Sequence, residues 1–501
     1  MGSILDSLGV RDRPADAPFL ETPDGRRLSY GGLWEESGRL AHALGRLGVG
    51  RGDRVAVQVE KSPEALLLYL ACARSGSVFL PLNTAYTLAE LQYFLGDAEP
   101  ALTVVAPGRT EAVAGLGVGH VAGLGDDGAS GSLIELARAW PAEFEDAPVQ
   151  GTDLAAILYT SGTTGRSKGA MLSHDNLASN ALTLKAHWRF SPADVLLHAL
   201  PVYHTHGLFV ATNTVLAAGA SMLFTPAFEA AEALRLLRRV TVMMGVPTYY
   251  TRLLAQPGLD REAVAGVRLF VSGSAPLLEA THQAFRERTG HAVLERYGMT
   301  ETNMITSNPY DGERRPGSVG PALPGVEVRI TDPETGRLLT DGEIGMIEVK
   351  GPNVFGGYWR MPEKTAAEFR TDGFFITGDL GVKAPDGYVS IVGRGKDLVI
   401  TGGLNVYPKE IEAEIDALPG VAESAVIGLP HPDFGEAVTA VVARAAGGTV
   451  EEAEVIAALR PRLAGFKLPK RVLVVDQLPR NAMGKVQKAA LRERWAGLYA
   501  E

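Results

Sequence analysis

The chain has 501 residues, is 46% hydrophobic and 21% charged, and carries a net charge of −10 and one cysteine. That length calls for two or more domains, because single hydrophobic cores stop growing at roughly 250–300 residues. The acidic balance argues against a general nucleic-acid or anionic-membrane surface, and one cysteine, Cys72, excludes an internal disulfide framework and suits a reducing cytoplasm.

The opening MGSILDSLG has neither a basic segment nor a long apolar run, so no signal peptide is expected, and no stretch reaches the ~18 apolar residues of a membrane span. RRLSYGGLWEESGRLAHALGRLGV (26–49) reads as a strand and an amphipathic helix. RVAVQVE (54–60) reads as a strand, and SPEALLLYLACARSG (62–76) as a helix capped by Ser62 with Pro63 at its first position, burying Cys72. SVFLPLN, LAELQYFLGDA and ALTVVA continue the alternation, which predicts an α/β layered fold. The glycine-rich run 115–132 reads as an exposed connection; its Gly123, Gly125 and Gly128 spell GxGxxG, but without a convincing strand before it or helix after it the match is a decoy.

DLAAILY predicts a strand running into YTSGTTGRSKG (159–169), and AMLSHDNLASNALTLKA reads as a turn and then a helix capped by Ser173. A loop with hydroxyls and glycines at nearly every position and one lysine, Lys168, is built to cradle phosphate, because glycines let backbone N–H groups approach an anion. It departs from the common nucleotide loop, since Arg166 and Ser167 separate the lysine from the preceding glycine. Strand and helix patterns then alternate through DVLLHALPVYHTHGLFVATNTVLAAGASMLF (194–224), VTVMMGVPTYYTRLLAQ, VRLFVSGSAP (267–276) and HAVLERYGMTETN (291–303). Residues 316–394 are rich in Gly and Pro with short strand-like runs, predicting a small β subdomain. From GRGKD onward a compact α+β pattern begins. The expected domains are 1–394 and a small C-terminal domain, 395–501.

Six motifs in fixed order, YTSGTTGRSKG, SGSAP (272–276), ERYGMTE (295–301), FFITGD (374–379), GRGKDLVITGGLNVYPKEIE (393–412) and PRNAMGKVQK (479–488), resemble the adenylate-forming superfamily of acyl-CoA synthetases, adenylation domains and luciferases. The resemblance covers nearly the whole chain and implies a carboxylate attacking the α-phosphate of ATP, followed by transfer of the acyl group to coenzyme A. It implies a large N-terminal α/β layered domain and a mobile C-terminal lid with a hinge near Lys396. By the same resemblance Thr160, Ser161, Gly162, Thr163, Thr164 and Lys168 hold phosphates, and Glu301 binds Mg²⁺. Thr300 contacts the α-phosphate, while Ser274, Ala275, Glu295, Arg296 and Tyr297 frame adenine. Asp379 accepts from the ribose, Arg394 contacts ribose or phosphate, and Lys485 is the catalytic lysine. Gly402 and Gly403 would line the path of CoA. Lys485 would also be the target of a lysine acetyltransferase partner, whereas Lys488 reads as surface charge.

VPTYYTRLL, PLNTAYTLAELQYFL (81–95) and GMTETNMITSNPYDGERRPGSVG (298–320) resemble malonyl-CoA synthetases more narrowly. That implies malonate as the acid, with methylmalonate the alternative, its distal carboxylate held by Arg252 with His204 and His206 nearby. The rivals are an adenylation enzyme that loads a carrier protein, disfavoured because PVYHTHG offers no acidic residue for an amine and no carrier domain follows; a silent nucleotide-binding module; and a fatty acyl-CoA ligase.

Overall fold

The computed structural model describes residues 2–160, 167–401, 404–481 and 484–500, which divide into two compact units, 1–327 with 349–375, and 328–348 with 376–501. The first unit carries two large, mostly parallel sheets. One runs in the order Gly357–Tyr358, Lys168–Ser173, Leu154–Thr160, Val78–Pro81, Arg54–Gln58, Leu102–Val105, His120–Gly123. The other runs Asn303–Ser307, Leu294–Met299, Leu269–Ser272, Val242–Gly245, Val195–His198, Ser221–Phe224, Pro18–Glu21, Arg27–Ser29. Both central regions are continuous apolar strands such as VFLP and LFVS, the pattern of sheets covered on both faces.

The connecting helices begin and end where the sequence predicts. Pro63–Ser75 starts under Ser62, whose hydroxyl accepts from Ala65 N, and stops at Gly76 in the left-handed conformation. His174–His187 is capped reciprocally by Ser173 and Asn176. On the second sheet, strand residues Leu197, Met243 and Phe270 share a core with Tyr250 and Phe285 of the helices; on the first, Leu80 and Ile157 share one with Phe94 of a helix.

Two local expectations are corrected. The segment after the hydroxyl-rich loop is a strand before it is a helix: Lys168–Ser173 pairs antiparallel with Leu154–Thr160, closing with Thr160 opposite Lys168, and buries Ala170 and Leu172. Within 115–132, His120–Gly123 is the edge strand parallel to Leu102–Val105, and Ala122 and Leu124 are buried. The loop beyond it is filled by its own chain, with Asp127 Oδ1 accepting from the N–H groups of Ala129 and Ser130.

The second unit holds a four-stranded sheet, Glu327–Thr331, Gly345–Lys350, Phe375–Lys383 and Val389–Arg394, and a five-stranded one built on the long hairpin Val421–His431 and Gly435–Arg444. That hairpin is buried on both faces by simple alternation: Val426, Val438 and Val442 face one cluster with Ile411 and Leu459, and Ile427, Leu429 and Val441 face another with Leu478 and Leu491. Among the described residues no helix is long and apolar enough to cross a membrane.

Candidate active site

In the first unit the flanks of the phosphate-type loop lead into a buried polar cluster. Thr160 Oγ1 donates to Glu301 Oε1 at 3.3 Å. Tyr358 OH lies 3.1 Å from that same oxygen and 2.6 Å from Glu368 Oε2. Lys168 Nζ is 3.1 Å from Glu368 Oε1 and 4.0 Å from the centre of the Tyr358 ring, and Lys364 Nζ reaches Glu368 Oε1 at 2.7 Å. Lys168 and Glu301 are only 6% and 4% exposed, so these contacts are made away from bulk water, where they count for more. Ser161, Gly162, Thr163 and Thr164 lie outside the described residues, as do Gly402 and Gly403.

A second cluster forms where two strand ends meet the segment after Val195–His198. Residues His206–Thr212 wind as a wide π-type turn, fully buried, ahead of helix Asn213–Ala218. Such turns are rare and recur at functional sites. His206 Nδ1 is 3.2 Å from Ser274 Oγ, and its backbone N–H donates to His204 Nδ1 at 3.2 Å. Ser274 itself is held at φ 72°, a region that costs a non-glycine residue of order 1 kcal/mol or more.

Arg296 is set apart from its two neighbours in the sequence motif. In the strand Leu294–Met299 successive side chains point to opposite faces, so Glu295 and Tyr297 share one face and Arg296 lies on the other. Glu295 Oε1 accepts from Leu277 N at 3.1 Å and so braces the SGSAP loop. Arg296 points the other way, against Gly273, where an added Cβ would sit 2.4 Å from its Cζ. The guanidinium is 3% exposed, and its Nε and Nη2 have no hydrogen-bond partner among the described residues. Burial holds it down to about 9, and its charge, after burial itself, helps push His206 well below the ordinary histidine range. His206 Nε2 is likewise buried without a partner among the described residues. A buried cation with open donors beside a neutral imidazole and a hydroxyl is a receptor for a small anion. Position 296 gives no sequence signal beyond a charged residue in an apolar strand, LERYGM.

Arg252, expected to be the anion's partner, lies on the exposed side of helix Pro247–Leu254. One turn away on that helix Tyr249 stacks on Phe228 at 3.8 Å and donates to Ala199 O, just ahead of PVYHTHG. Thr300 and Ala275 are partly exposed loop residues.

In the second unit Asp379 and Arg394 are cross-strand partners, Oδ1 to Nε 2.6 Å, with the carboxylate 5% exposed. Lys396 is exposed in the single turn Gly395–Asp397, and Asp397 pairs with Arg492 of the last helix at 2.6 Å. Lys485 is exposed on a tight turn in which its N–H donates to Asn481 Oδ1 and Asn481 N donates back to Lys485 O, both 2.9 Å. Lys488 is more than surface charge: its Nζ is 2.6 Å from Glu412 Oε1, an atom that also accepts from Val426 N.

Comparison with known proteins identifies the family of the chain. A family model described as AMP-binding enzyme matches residues 9–359, and one described as AMP-binding enzyme C-terminal domain matches 410–485. The crystal structure of ATP-bound MatB from Rhodopseudomonas palustris superposes with a TM-score of 0.97 at 60% identity, over 99% of this chain and 100% of that one. A malonate–CoA ligase of Arabidopsis thaliana is 34% identical over 94% of this chain and 85% of its own length. A feruloyl-CoA synthase of an Amycolatopsis species is 36% identical over 94% of each. The fold class expected from the six motifs, a large N-terminal domain and a small C-terminal one in mixed α/β layers, is borne out.

Proposed function

The chain belongs to the AMP-binding enzyme family, and from that premise we propose that it ligates malonate to coenzyme A with ATP, through an acyl-adenylate, releasing AMP and pyrophosphate. The observation that carries the choice of acid is Arg296. A monocarboxylic acid with an apolar tail would leave its two open donors buried and unpaired, at a cost of about 1–3 kcal/mol for each such group. Malonate's distal carboxylate supplies a planar pair of oxygens that matches a guanidinium, while Ser274 and His206 offer further polar contacts. Methylmalonate adds one methyl group to the same recognition. The feruloyl and malonate relatives, 36% and 34% identical over 94% of this chain, differ in the acid named for them, so the pocket side chains and not the fold decide this point.

Lys168, with the loop residues 160–164, takes the β- and γ-phosphates in this reading, and Thr300 and Lys485 serve the α-phosphate. A lysine there offsets charge that builds up as the carboxylate displaces pyrophosphate, a stabilisation whose loss typically costs ~10²–10³ in rate. Asp379 accepts from the ribose hydroxyls and Arg394 orients that carboxylate. Glu295 and Tyr297 face the adenine side. The C-terminal domain of the proposal is 395–501, pivoting at Lys396 between the two half-reactions, with Gly402 and Gly403 beside the incoming thiol.

The donor set suits Mg²⁺. Glu301 offers a buried hard oxygen of the kind Mg²⁺ takes, and such sites are commonly completed by substrate phosphates and water. When bound, the ion would neutralise phosphate charge. The reaction is assigned to the cytoplasm, and exposed Lys485 is the residue on which a lysine acetyltransferase would switch it off.

Pyrophosphate release measured across acetate, malonate, methylmalonate, succinate, octanoate and ferulate tests the assignment. Malonate or methylmalonate should lead in kcat/KM. A preference for octanoate or ferulate overturns it.

A further inference from the structure

The nucleotide half-site in the first unit contains two side chains that no motif assigned, Tyr358 and Glu368. We propose that they are positioning residues, holding Lys168 and Glu301 in one buried frame so that the phosphate-binding cation and the metal-binding carboxylate stand at a set separation. The proposal rests on the adenylating reading above and names the parts that make its phosphate site rigid.

The argument begins with Glu368. It follows helix Pro362–Ala367 directly, at the negative end of the helix dipole, and its pairing with Lys364 has lysine on the N-terminal side, the weaker orientation. Helix stability therefore does not explain a carboxylate at that position. Both of its oxygens are used: Oε1 receives Lys168 and Lys364, and Oε2 lies 2.6 Å from the Tyr358 hydroxyl. Burial works against its charge, yet the hydrogen bonds from Lys364, Tyr358 and Lys168 leave its carboxyl below the usual range, so it stands ionised.

Tyr358 then links the two functional groups. Its ring lies under the Lys168 ammonium at 4.0 Å and packs edge-on against Phe355, and its backbone pairs with Ala170 in the strand that carries Lys168. The hydroxyl sits between Glu368 and Glu301, with one proton and two acceptors. Lys168 and Glu301, 133 positions apart in sequence (301 minus 168), are thus joined through one phenol and one carboxylate. Two lysines and two glutamates also balance in charge, which lets the cluster stay buried before any phosphate arrives.

Three substitutions separate positioning from plain packing. Tyr358→Phe keeps the ring, the cation–π contact and the strand, and removes only the hydroxyl. Glu368→Gln removes the charge, and Glu368→Asp keeps it on a shorter arm. ATP·Mg²⁺ binding by calorimetry should weaken roughly tenfold in Glu368→Gln, the scale of one charge-assisted hydrogen bond, and severalfold in Tyr358→Phe. KM for ATP should rise while KM for malonate holds, Glu368→Asp should recover part of the loss, and Tyr358→Phe should need more Mg²⁺ for half-maximal pyrophosphate–ATP exchange. Thioester formation from supplied malonyl-adenylate should be unchanged in all three. The proposal is overturned if Glu368→Gln binds ATP·Mg²⁺ as well as or better than wild type, or if both variants lower every parameter together with the melting temperature. A wild-type protein that binds ATP·Mg²⁺ but shows no malonate-dependent exchange would instead overturn the choice of acid, and the binding comparison would still decide the positioning role.

Discussion

Replacing Arg296 by methionine should stabilise the free protein while destroying its use of malonate. The guanidinium is buried, has no acidic partner among the described residues, and is held down by burial to about 9 from an ordinary value of 12.5. At about 1.4 kcal/mol per tenfold, keeping that charge inside costs the folded state on the order of 4–5 kcal/mol. Methionine fills a similar long, narrow volume without the charge. The melting temperature of ligand-free Arg296→Met should therefore equal or exceed that of wild type. With malonate the sign reverses. The distal carboxylate loses its buried partner, a change worth about 3–5 kcal/mol, so kcat/KM should fall by at least ~10²-fold. Butyrate, whose tail no longer faces open N–H donors, should hold steady or gain. The assay is kcat/KM for both acids, in wild type, Arg296→Met and Arg252→Leu, beside thermal unfolding of each. If Arg296→Met unfolds early and loses both acids together, the arginine is structural. If it keeps malonate while Arg252→Leu loses it, the exposed helix residue reads the substrate and the reasoning from burial is refuted.

Gly273→Ala should push the same guanidinium aside, because the new Cβ would lie 2.4 Å from Arg296 Cζ; KM for malonate should rise by about tenfold or more with calorimetric ATP affinity unchanged, and an unaltered KM would show that the arginine does not need this approach. Lys485→Ala, and equally enzyme acetylated at Lys485 as verified by mass spectrometry, should lose malonyl-adenylate formation yet convert supplied malonyl-adenylate to the thioester. Equal loss of both steps would remove the lysine's assignment to the first step alone. In the second unit burial, and to a lesser degree the carboxylates of Glu412 and Glu423, raise Asp416 to about 6. The folded state therefore takes up the proton more readily than the unfolded one, so the ionised carboxylate weakens folding above pH 6 and the penalty fades as pH falls from about 6 to about 4. Asp416→Asn, which keeps an oxygen for Ser424, should raise stability at pH 7.5 by up to about 3 kcal/mol, and the gap should shrink to about 1 kcal/mol or less by about pH 4.5; a constant gap across that range would refute the shift.

What the sequence by itself determined is local. Ser62 with Pro63 and Gly76, and Ser173 with Asn176, mark helix ends through hydrogen bonds that span three or four residues, so they can be read without knowing the fold. The strands of the sheet centres declare themselves as short apolar runs for the same reason, and the six motifs in their order carry the resemblance to the adenylate-forming superfamily. Lys168–Ser173 and His120–Gly123 could not be read that way. Each is a short run bordered by glycine or helix signals, and each is a strand because a neighbour, Leu154–Thr160 or Leu102–Val105, supplies the other half of its hydrogen bonds. The acid pocket proposed around Arg296 lies further out of reach. Sequence shows an arginine at 296 and another at 252, with equal charge; only the pleat of Leu294–Met299, the close approach at Gly273 and the wide turn at His206 bury one and leave the other in water. Glu368 meets Lys168 across 200 positions by the same means. A side chain's charge is written in the sequence, but whether that charge is solvated, paired or left waiting for a ligand depends on which distant backbone folds over it, and that was decided by tertiary structure alone.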